Sequence, residues 1–386
     1  MKIGIAGGAL QGMEAAFLSG KAGFETLVVD RRADAPASSL ADHCGTADIA
    51  RDPAAAARLF SDCDAVIPAL EEMDALESLA RIAAEIEKPL LFDMDAYRIS
   101  CSKAESNRIM GGLGVPLPRP WPECGFPAIV KPSSQSGSVG VSAVESAEEM
   151  ARALKRVEEL GDEPVVQEFV SGKSVSIEVI GNGSSARPYV TTEVILDGGY
   201  DCKRVACEPG ILGAEENAAF AEMGRSVAEA IGLRALMDVE AIATPKGLRV
   251  LEIDARIPSQ TPAAVEAATG INLMEELALS ALGKAAGARG GPGCSSYEHY
   301  VADCGRLATC GEKKFAHVSR PRVEERFFGA DVAITDYAPG KSVWRATVIN
   351  SGRTPAEVLE KRKRFIGAAM SECDLEEYWD ASPRMV

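Results

Sequence analysis

Leu236-Met237-Asp238-Val239-Glu240-Ala241-Ile242-Ala243-Thr244-Pro245-Lys246-Gly247-Leu248-Arg249-Val250-Leu251-Glu252-Ile253-Asp254-Ala255-Arg256 is two apolar runs joined by Pro245-Lys246-Gly247. Aliphatic and β-branched residues on either side of a Pro- and Gly-containing turn predict a hairpin, with strands over 236–244 and 248–254. Alternation along the second strand puts Glu252 and Asp254 on one face. A three- or four-residue turn makes cross-strand partners sum to about 490–492, which sets Asp238 opposite residues 252–254. Three carboxylates then meet at one end of the hairpin. Like charges so close repel unless a cation lies between them, and hard oxygen ligands suit Mg²⁺. The plain alternative is an exposed acidic strand face, but Val239, Val250, Leu251 and Ile253 indicate a buried strand. Arg256 follows directly and adds a cation beside the expected metal site.

Upstream, Ala128-Ile129-Val130-Lys131 predicts a strand ending in a lysine, followed by Pro132-Ser133-Ser134-Gln135-Ser136-Gly137-Ser138-Val139-Gly140. Small residues let backbone N–H groups approach phosphate oxygens, and hydroxyls add donors, so this loop is a candidate phosphate cradle. It lacks the G-x-x-x-x-G-K-[ST] pattern of a P-loop. Taken alone, it also fits a surface linker. A second lysine, Lys103, precedes it in a helical segment at 101–112, and the proline-rich residues 116–127 read as a linker. Strands are expected over 165–170 and 174–180, and helices over 146–160, 216–231 and 262–282. Residues 287–293 read as a second linker, and 294–386 as a smaller, mainly β tail with a helix near 355–370.

At the start of the chain, a strand at 2–6, a helix at 11–22 with Gly23 at its C-cap, and a β-rich run ending at Asp30 form a βαβ unit. Strands at 65–68 and 89–92 with a helix at 76–86 extend it to a doubly wound α/β domain. In Gly7-Gly8-Ala9-Leu10-Gln11-Gly12, Ala9 stands where a dinucleotide fingerprint wants glycine, and Asp30 lies 18 residues past Gly12. An NAD-dependent dehydrogenase is the alternative this segment raises, and a tight strand–helix turn without a ligand suits it equally. The expected division is an α/β domain at 1–92, a nucleotide- and Mg²⁺-binding domain at 93–290 and a C-terminal domain at 291–386.

Composition excludes several classes. The chain has 386 residues, 46% hydrophobic and 25% charged, which is ordinary for a globular protein and rules out wholesale disorder. Its net charge of −16 disfavours non-specific nucleic-acid binding, so no nucleic-acid partner is expected. Uncharged stretches fall short of the roughly 18 residues of a membrane helix, and the glycine-broken start does not read as a signal peptide. Ten scattered cysteines without a CxxC pair, with only three histidines, suggest reduced thiols and a cytoplasmic location.

A strand-end lysine, a glycine-serine loop and a carboxylate hairpin describe a nucleotide site, and their order resembles the ATP-grasp superfamily. Members of that superfamily phosphorylate a carboxylate and let an amine attack the acyl phosphate. The resemblance implies an α/β ATP-grasp fold behind an N-terminal doubly wound domain, with a small, mainly β C-terminal domain. Leu10-Gln11-Gly12-Met13-Glu14-Ala15-Ala16, Lys131-Pro132-Ser133-Ser134-Gln135-Ser136-Gly137-Ser138, Tyr200-Asp201-Cys202, Ile253-Asp254-Ala255-Arg256-Ile257-Pro258-Ser259-Gln260-Thr261-Pro262 and Tyr297-Glu298-His299 resemble, more narrowly, the pyrrolysine-biosynthesis ligase family. Asp254 stands where many ATP-grasp enzymes have Asn, which favours the narrower family. Beyond residue 310 the resemblance fades.

What the resemblance implies is ATP-dependent amide formation between 3-methyl-D-ornithine and the ε-amine of L-lysine, with Mg²⁺. It implies that Lys131 and Arg256 act on the reacting groups. Nucleotide contacts would come from Gln11, Gly12, Lys103, Lys131, Ser138 and a hinge of Gln167, Glu168, Phe169 and Val170, and the metal would bind Asp238, Glu252 and Asp254. The family pattern puts Ser176, Ile177, Glu178, Arg256, Ile257, Pro258, Ser259, Gln260, Thr261 and Glu298 around the ornithine part. Leu10, Gln11, Glu71 and Glu72 would lie near lysine or nucleotide. Glu178 also reads as a strand-face residue, and Glu71 and Glu72 as caps of the following helix. Partners are expected to be these small molecules, with no membrane, and a homodimer is admissible. Another ATP-grasp ligase, for D-alanine or a purine-pathway substrate, is the alternative within the superfamily.

Overall fold

The computed structural model describes residues 1–284, 291 and 293–382, so most of the expected linker at 287–293 lies outside the described residues. The chain opens with four parallel strands, Lys2–Ala6, Glu25–Asp30, His43–Thr46 and Ala65–Pro68, with the first strand between the second and the fourth. Ile3, Ile5, Val28 and Val66 are fully buried, as helices on both faces of a parallel sheet require. His43–Thr46 and the helix Pro53–Phe60 are absent from the sequence reading, because His-Cys-Gly-Thr shows no apolar alternation. The strand expected at 89–92 reduces to one bridge between Val66 and Leu90. Pro89, with no N–H to give, precedes it.

A second, three-stranded sheet holds Ala128–Pro132 between Ser142–Val144 and Pro164–Glu168, with the helix Ala147–Glu159 packed against it. Below it runs a large antiparallel sheet containing Gly247–Asp254, Leu236–Thr244, Lys173–Gly181, Ala186–Leu196 and Cys202–Cys207 in that spatial order. This sheet continues without a break into Cys294–Asp303 and Trp344–Gly352, through pairs such as Val205 with Tyr297. The single helix expected over 262–282 is two, Thr261–Thr269 and Leu273–Ala281. Gly270, at φ +73°, ends the first, and the Asn272 carboxamide caps the second by accepting from Met274 and Glu275 N–H.

One apolar core ties the N-terminal unit to the rest. Ala15 and Leu18 of the first helix share it with Val265, Leu273, Tyr297 and Ile349. Among the described residues no helix is long and apolar enough to cross a membrane, and the ten cysteines are free.

Candidate active site

The hairpin is in register through Asp238 opposite Asp254 and Glu240 opposite Glu252, with an irregularity just after Glu240. Directly opposed residues share a face, so four carboxylates form a two-by-two array. Next to it, Glu178 pairs with Asp238 and Ser176 with Glu240. Glu240 was missed in the sequence reading, although its i, i+2 spacing from Asp238 was the signal. Burial pushes Glu240 up to about 8 and Asp254 up to about 6, and raises Asp238 well above the carboxylate range. Burial acts the same way on Glu252, but Lys103 and Lys131 more than offset it and hold it below its usual value.

Three cations face this array. Lys103, capped into its helix by Ser102, sits 3.1 Å from Glu252 Oε2 and donates to the Gln135 carbonyl at 2.8 Å. Lys131 is buried at its strand end, where desolvation lowers its pKa, and it donates to the Leu251 carbonyl at 3.4 Å. Arg256 lies 2.8 Å from Asp254 and 3.0 Å from Glu71.

The glycine-serine loop closes over these groups. Gly137, Ser138 and Gly140 all have positive φ, folding the chain back tightly. Ser134 donates to Asp162, Ser136 to Glu71 at 2.6 Å and Ser138 to the Tyr200 carbonyl at 2.9 Å. Glu71 therefore joins three parts of the molecule, since Gln11 also donates to it at 2.7 Å.

Between the small and large sheets lies a cavity of about 430 Å³. Of the residues singled out in the sequence, Glu71, Lys103, Lys131, Ser138, Gln167, Glu168, Phe169, Val170, Asp238, Glu252, Asp254, Arg256, Pro258, Ser259, Gln260 and Thr261 line it. Glu168 is held by Arg119 through two 3.1 Å hydrogen bonds, which lower its pKa. Leu10, Gln11, Gly12, Glu72, Ser176, Ile177, Glu178, Ile257 and Glu298 are not on the cavity wall. Ile177 and Ile257 are core residues, and Glu72 is exposed near Arg31. A Cβ on Gly12 would meet the Gly7 carbonyl oxygen at 2.3 Å, so this glycine lets the first helix approach its strand. Asp30 accepts from Gly8 N–H at 2.7 Å and from Arg32 N–H at 2.8 Å, which makes it a staple for the opening turn. Glu298 is enclosed by Arg362, which donates to it at 2.7 and 2.8 Å.

Glu178 is fully buried, and neither of its carboxylate oxygens has a hydrogen-bond partner. The hydroxyls of Ser176 and Thr261 are also unpartnered. Burial pushes Glu178 up to about 7. Among the described residues no three acidic, His or Cys side chains converge as a ready metal site. Asp254 and Glu252 are instead ion-paired with Arg256 and Lys103, and the expected set of Asp238, Glu252 and Asp254 does not close on one point.

Residues 101–260, which carry the lysines, the loop and the hairpin, match the model of the ATP-grasp domain. The chain belongs to the ATP-grasp superfamily. Among its ATP-grasp relatives, it is 40% identical over 273 residues to the 3-methyl-D-ornithine–L-lysine ligase of Methanosarcina barkeri, covering 71% of each chain. It is 38% identical over 274 residues to the ligase of that name from Methanosarcina acetivorans, covering 70% of this chain and 71% of that one. In fold it matches a biotin carboxylase of Campylobacter jejuni with a TM-score of 0.73 and 16% identity, over 96% of this chain and 91% of the other. That likeness establishes a shared ATP-grasp architecture.

Proposed function

We propose that this chain is an ATP-dependent carboxylate–amine ligase that activates 3-methyl-D-ornithine and joins it to the ε-amine of L-lysine. The observation that carries the reading is Glu178, which lies behind the cavity wall next to Thr261, a residue of that wall. A buried carboxylate with two unpartnered oxygens, beside two unpartnered hydroxyls, costs free energy until a cation with several N–H donors meets it. The ammonium group of an amino acid is such a cation. The relatives of about 40% identity support the same substrate class.

In this reading adenine lies against the hinge 167–170, and the phosphates run towards Lys103, Lys131 and the loop 133–140. Of the two facing pairs of hairpin carboxylates, Glu240 and Glu252 lie nearer Lys103 and Lys131, where the phosphates run, and would hold Mg²⁺, which commonly takes one or two carboxylates and fills its shell with phosphate oxygens and water. Bound there, the ion would neutralise phosphate charge and lower the cost of burying both acids. Arg256 holds the substrate carboxylate and the charge that develops on it. A carboxylate oxygen takes the γ-phosphoryl group from ATP, releasing ADP. The amine nitrogen then bonds to the acyl carbon, the C–O bond to phosphate breaks, and the amine gives up a proton. Norleucine, which has an α-amine but no ε-amine, separates the two possible nucleophiles. With ATP and D-ornithine, L-lysine is expected to yield an amide while norleucine yields none, and equal ligation of norleucine would overturn the assignment.

A further inference from the structure

A further acid faces the cavity from a part of the chain where the sequence offered no site. Glu312 starts the short helix Glu312–Phe315, far along the chain from the ATP-grasp strands, and lines the same cavity. Its Oε2 accepts from Ser259 Oγ at 2.8 Å and Gln260 Nε2 at 3.0 Å. The turn that carries it is fastened to the large sheet, with Gly311 N–H donating to Asp197 at 3.2 Å and Lys313 N–H to Asp201 at 3.0 Å. A side chain at 311 would collide with Asp201, so glycine is what permits this docking. On its other side, Glu312 Oε1 lies 4.0 Å from where a Cβ on Gly137 of the glycine-serine loop would stand.

Asp201, Asp238 and Glu240 line the cavity without an ion pair among the described residues and are raised by burial, whereas its remaining acids other than Glu312 have cations. Glu71 and Asp254 share Arg256, Glu252 has Lys103, and Glu168 has Arg119. Glu312 accepts hydrogen bonds only from neutral donors and forms no ion pair among the described residues, Arg256 acting on it from beyond ion-pair distance, and its Oε1 takes no hydrogen bond there. A carboxylate fixed by an amide and a hydroxyl, with one oxygen open beside the loop, can receive an ammonium group.

We infer that Glu312 binds the amino group of the amine-donating substrate, so that the C-terminal part of the chain selects the amine. This rests on the ligase reading above and extends it, since the family pattern put Leu10, Gln11, Glu71 and Glu72 near lysine or nucleotide and nothing from the helix Glu312–Phe315. Glu71 is instead engaged by Arg256, Gln11 and Ser136, and Glu72 is exposed off the cavity wall.

The test uses the full chain and its Glu312→Gln, Glu312→Ala and Glu312→Asp variants. ADP release is followed with ATP, D-ornithine and whichever amine of L-lysine, L-ornithine, D-alanine or ammonia the wild-type enzyme uses. Turnover only with an amine other than L-lysine defeats the substrate reading, and the Glu312 comparison is then made with that amine. Glu312→Gln keeps the size and removes the charge. It is expected to raise the amine KM roughly tenfold or more, the loss of one charge-assisted hydrogen bond, with the ATP KM within about twofold of wild type. Glu312→Asp should recover part of the loss. Scrambling of ¹⁸O within ATP in the presence of D-ornithine alone, which reports acyl-phosphate formation without the amine, should persist in Glu312→Gln. An unchanged amine KM in Glu312→Gln and Glu312→Ala, or ATP and amine KM values rising together, would overturn the inference.

Discussion

Glu240 and Glu252 face each other across the hairpin, and Lys103 and Lys131 act on both, although only Glu252 is ion-paired with Lys103. Replacing either by Gln should leave the fold intact, because removing one acid from a buried array relieves repulsion, while turnover falls by roughly a hundredfold or more through loss of phosphate-charge neutralisation. Urea unfolding and ADP release measured on the same samples check both halves. Wild-type turnover in Glu240→Gln would remove this residue from the metal site. Glu14 is a different kind of buried acid. It accepts from Ala263 N–H at 2.9 Å and from Tyr297 OH at 3.3 Å, and burial raises it from 4.5 to about 7. A raised folded pKa means that its contribution is complete below about 4.5 and is lost as pH climbs to about 7. Over that interval, at roughly 1.4 kcal/mol per pH unit, the loss is on the order of 3 kcal/mol. Denaturant titrations from pH 4 to 8 should therefore show wild type losing stability relative to Glu14→Gln across that window and holding constant above it. Parallel curves would mean that Glu14 titrates normally.

At the scale of elements, the loop at 133–140 is the part that ligand should change most. Its serines hold onto Asp162, Glu71 and the Tyr200 carbonyl, contacts that bound phosphates would supplement or replace. Amide hydrogen exchange at 133–140 should slow when Mg²⁺·ATP is added, and equal exchange with and without it would leave the loop a simple linker. This loop and the hairpin were legible in sequence because their chemistry is local: small residues after a strand, and acids at alternate positions around a turn. Ala186–Leu196 and Cys202–Cys207 were not read as strands, since both are defined by neighbours distant in sequence. Glu312 was invisible for the same reason, its position depending on Asp197 and Asp201. For Glu298 the family pattern suggested a substrate contact, and in this fold Arg362, Arg204 and Tyr300 surround it.

Across the whole molecule, the Glu298–Arg362 pair binds the C-terminal helix Pro355–Glu372 to the large sheet, and Arg362 also reaches Asp380 at 3.0 Å. Glu298 is 2% exposed and keeps Arg204, 3.8 Å away, and the Tyr300 hydroxyl when Arg362 is removed, so Arg362→Ala should cost about 1–3 kcal/mol, read as a fall in unfolding free energy. A change below about 1 kcal/mol would show that the pair is dispensable for stability. The site itself is assembled from all parts of the chain, with Glu71 from the loop after the strand Ala65–Pro68, Lys131 from the small sheet, Arg256 after the hairpin and Glu312 from the C-terminal region. Such an arrangement serves a reaction in which nucleotide and amine must meet at one carboxyl group, the phosphoryl group at its oxygen and the amine at its carbon. The central claim is that a carboxylate is phosphorylated before the amine arrives. The most direct measurement uses D-ornithine labelled with ¹⁸O in its carboxylate, together with ATP and L-lysine, and mass spectrometry of the products. Passage through an acyl phosphate predicts ADP, the ornithyl-lysine amide and inorganic phosphate carrying one ¹⁸O atom from the acid. Amide formed without label in phosphate, or no amide and no ADP, would contradict it.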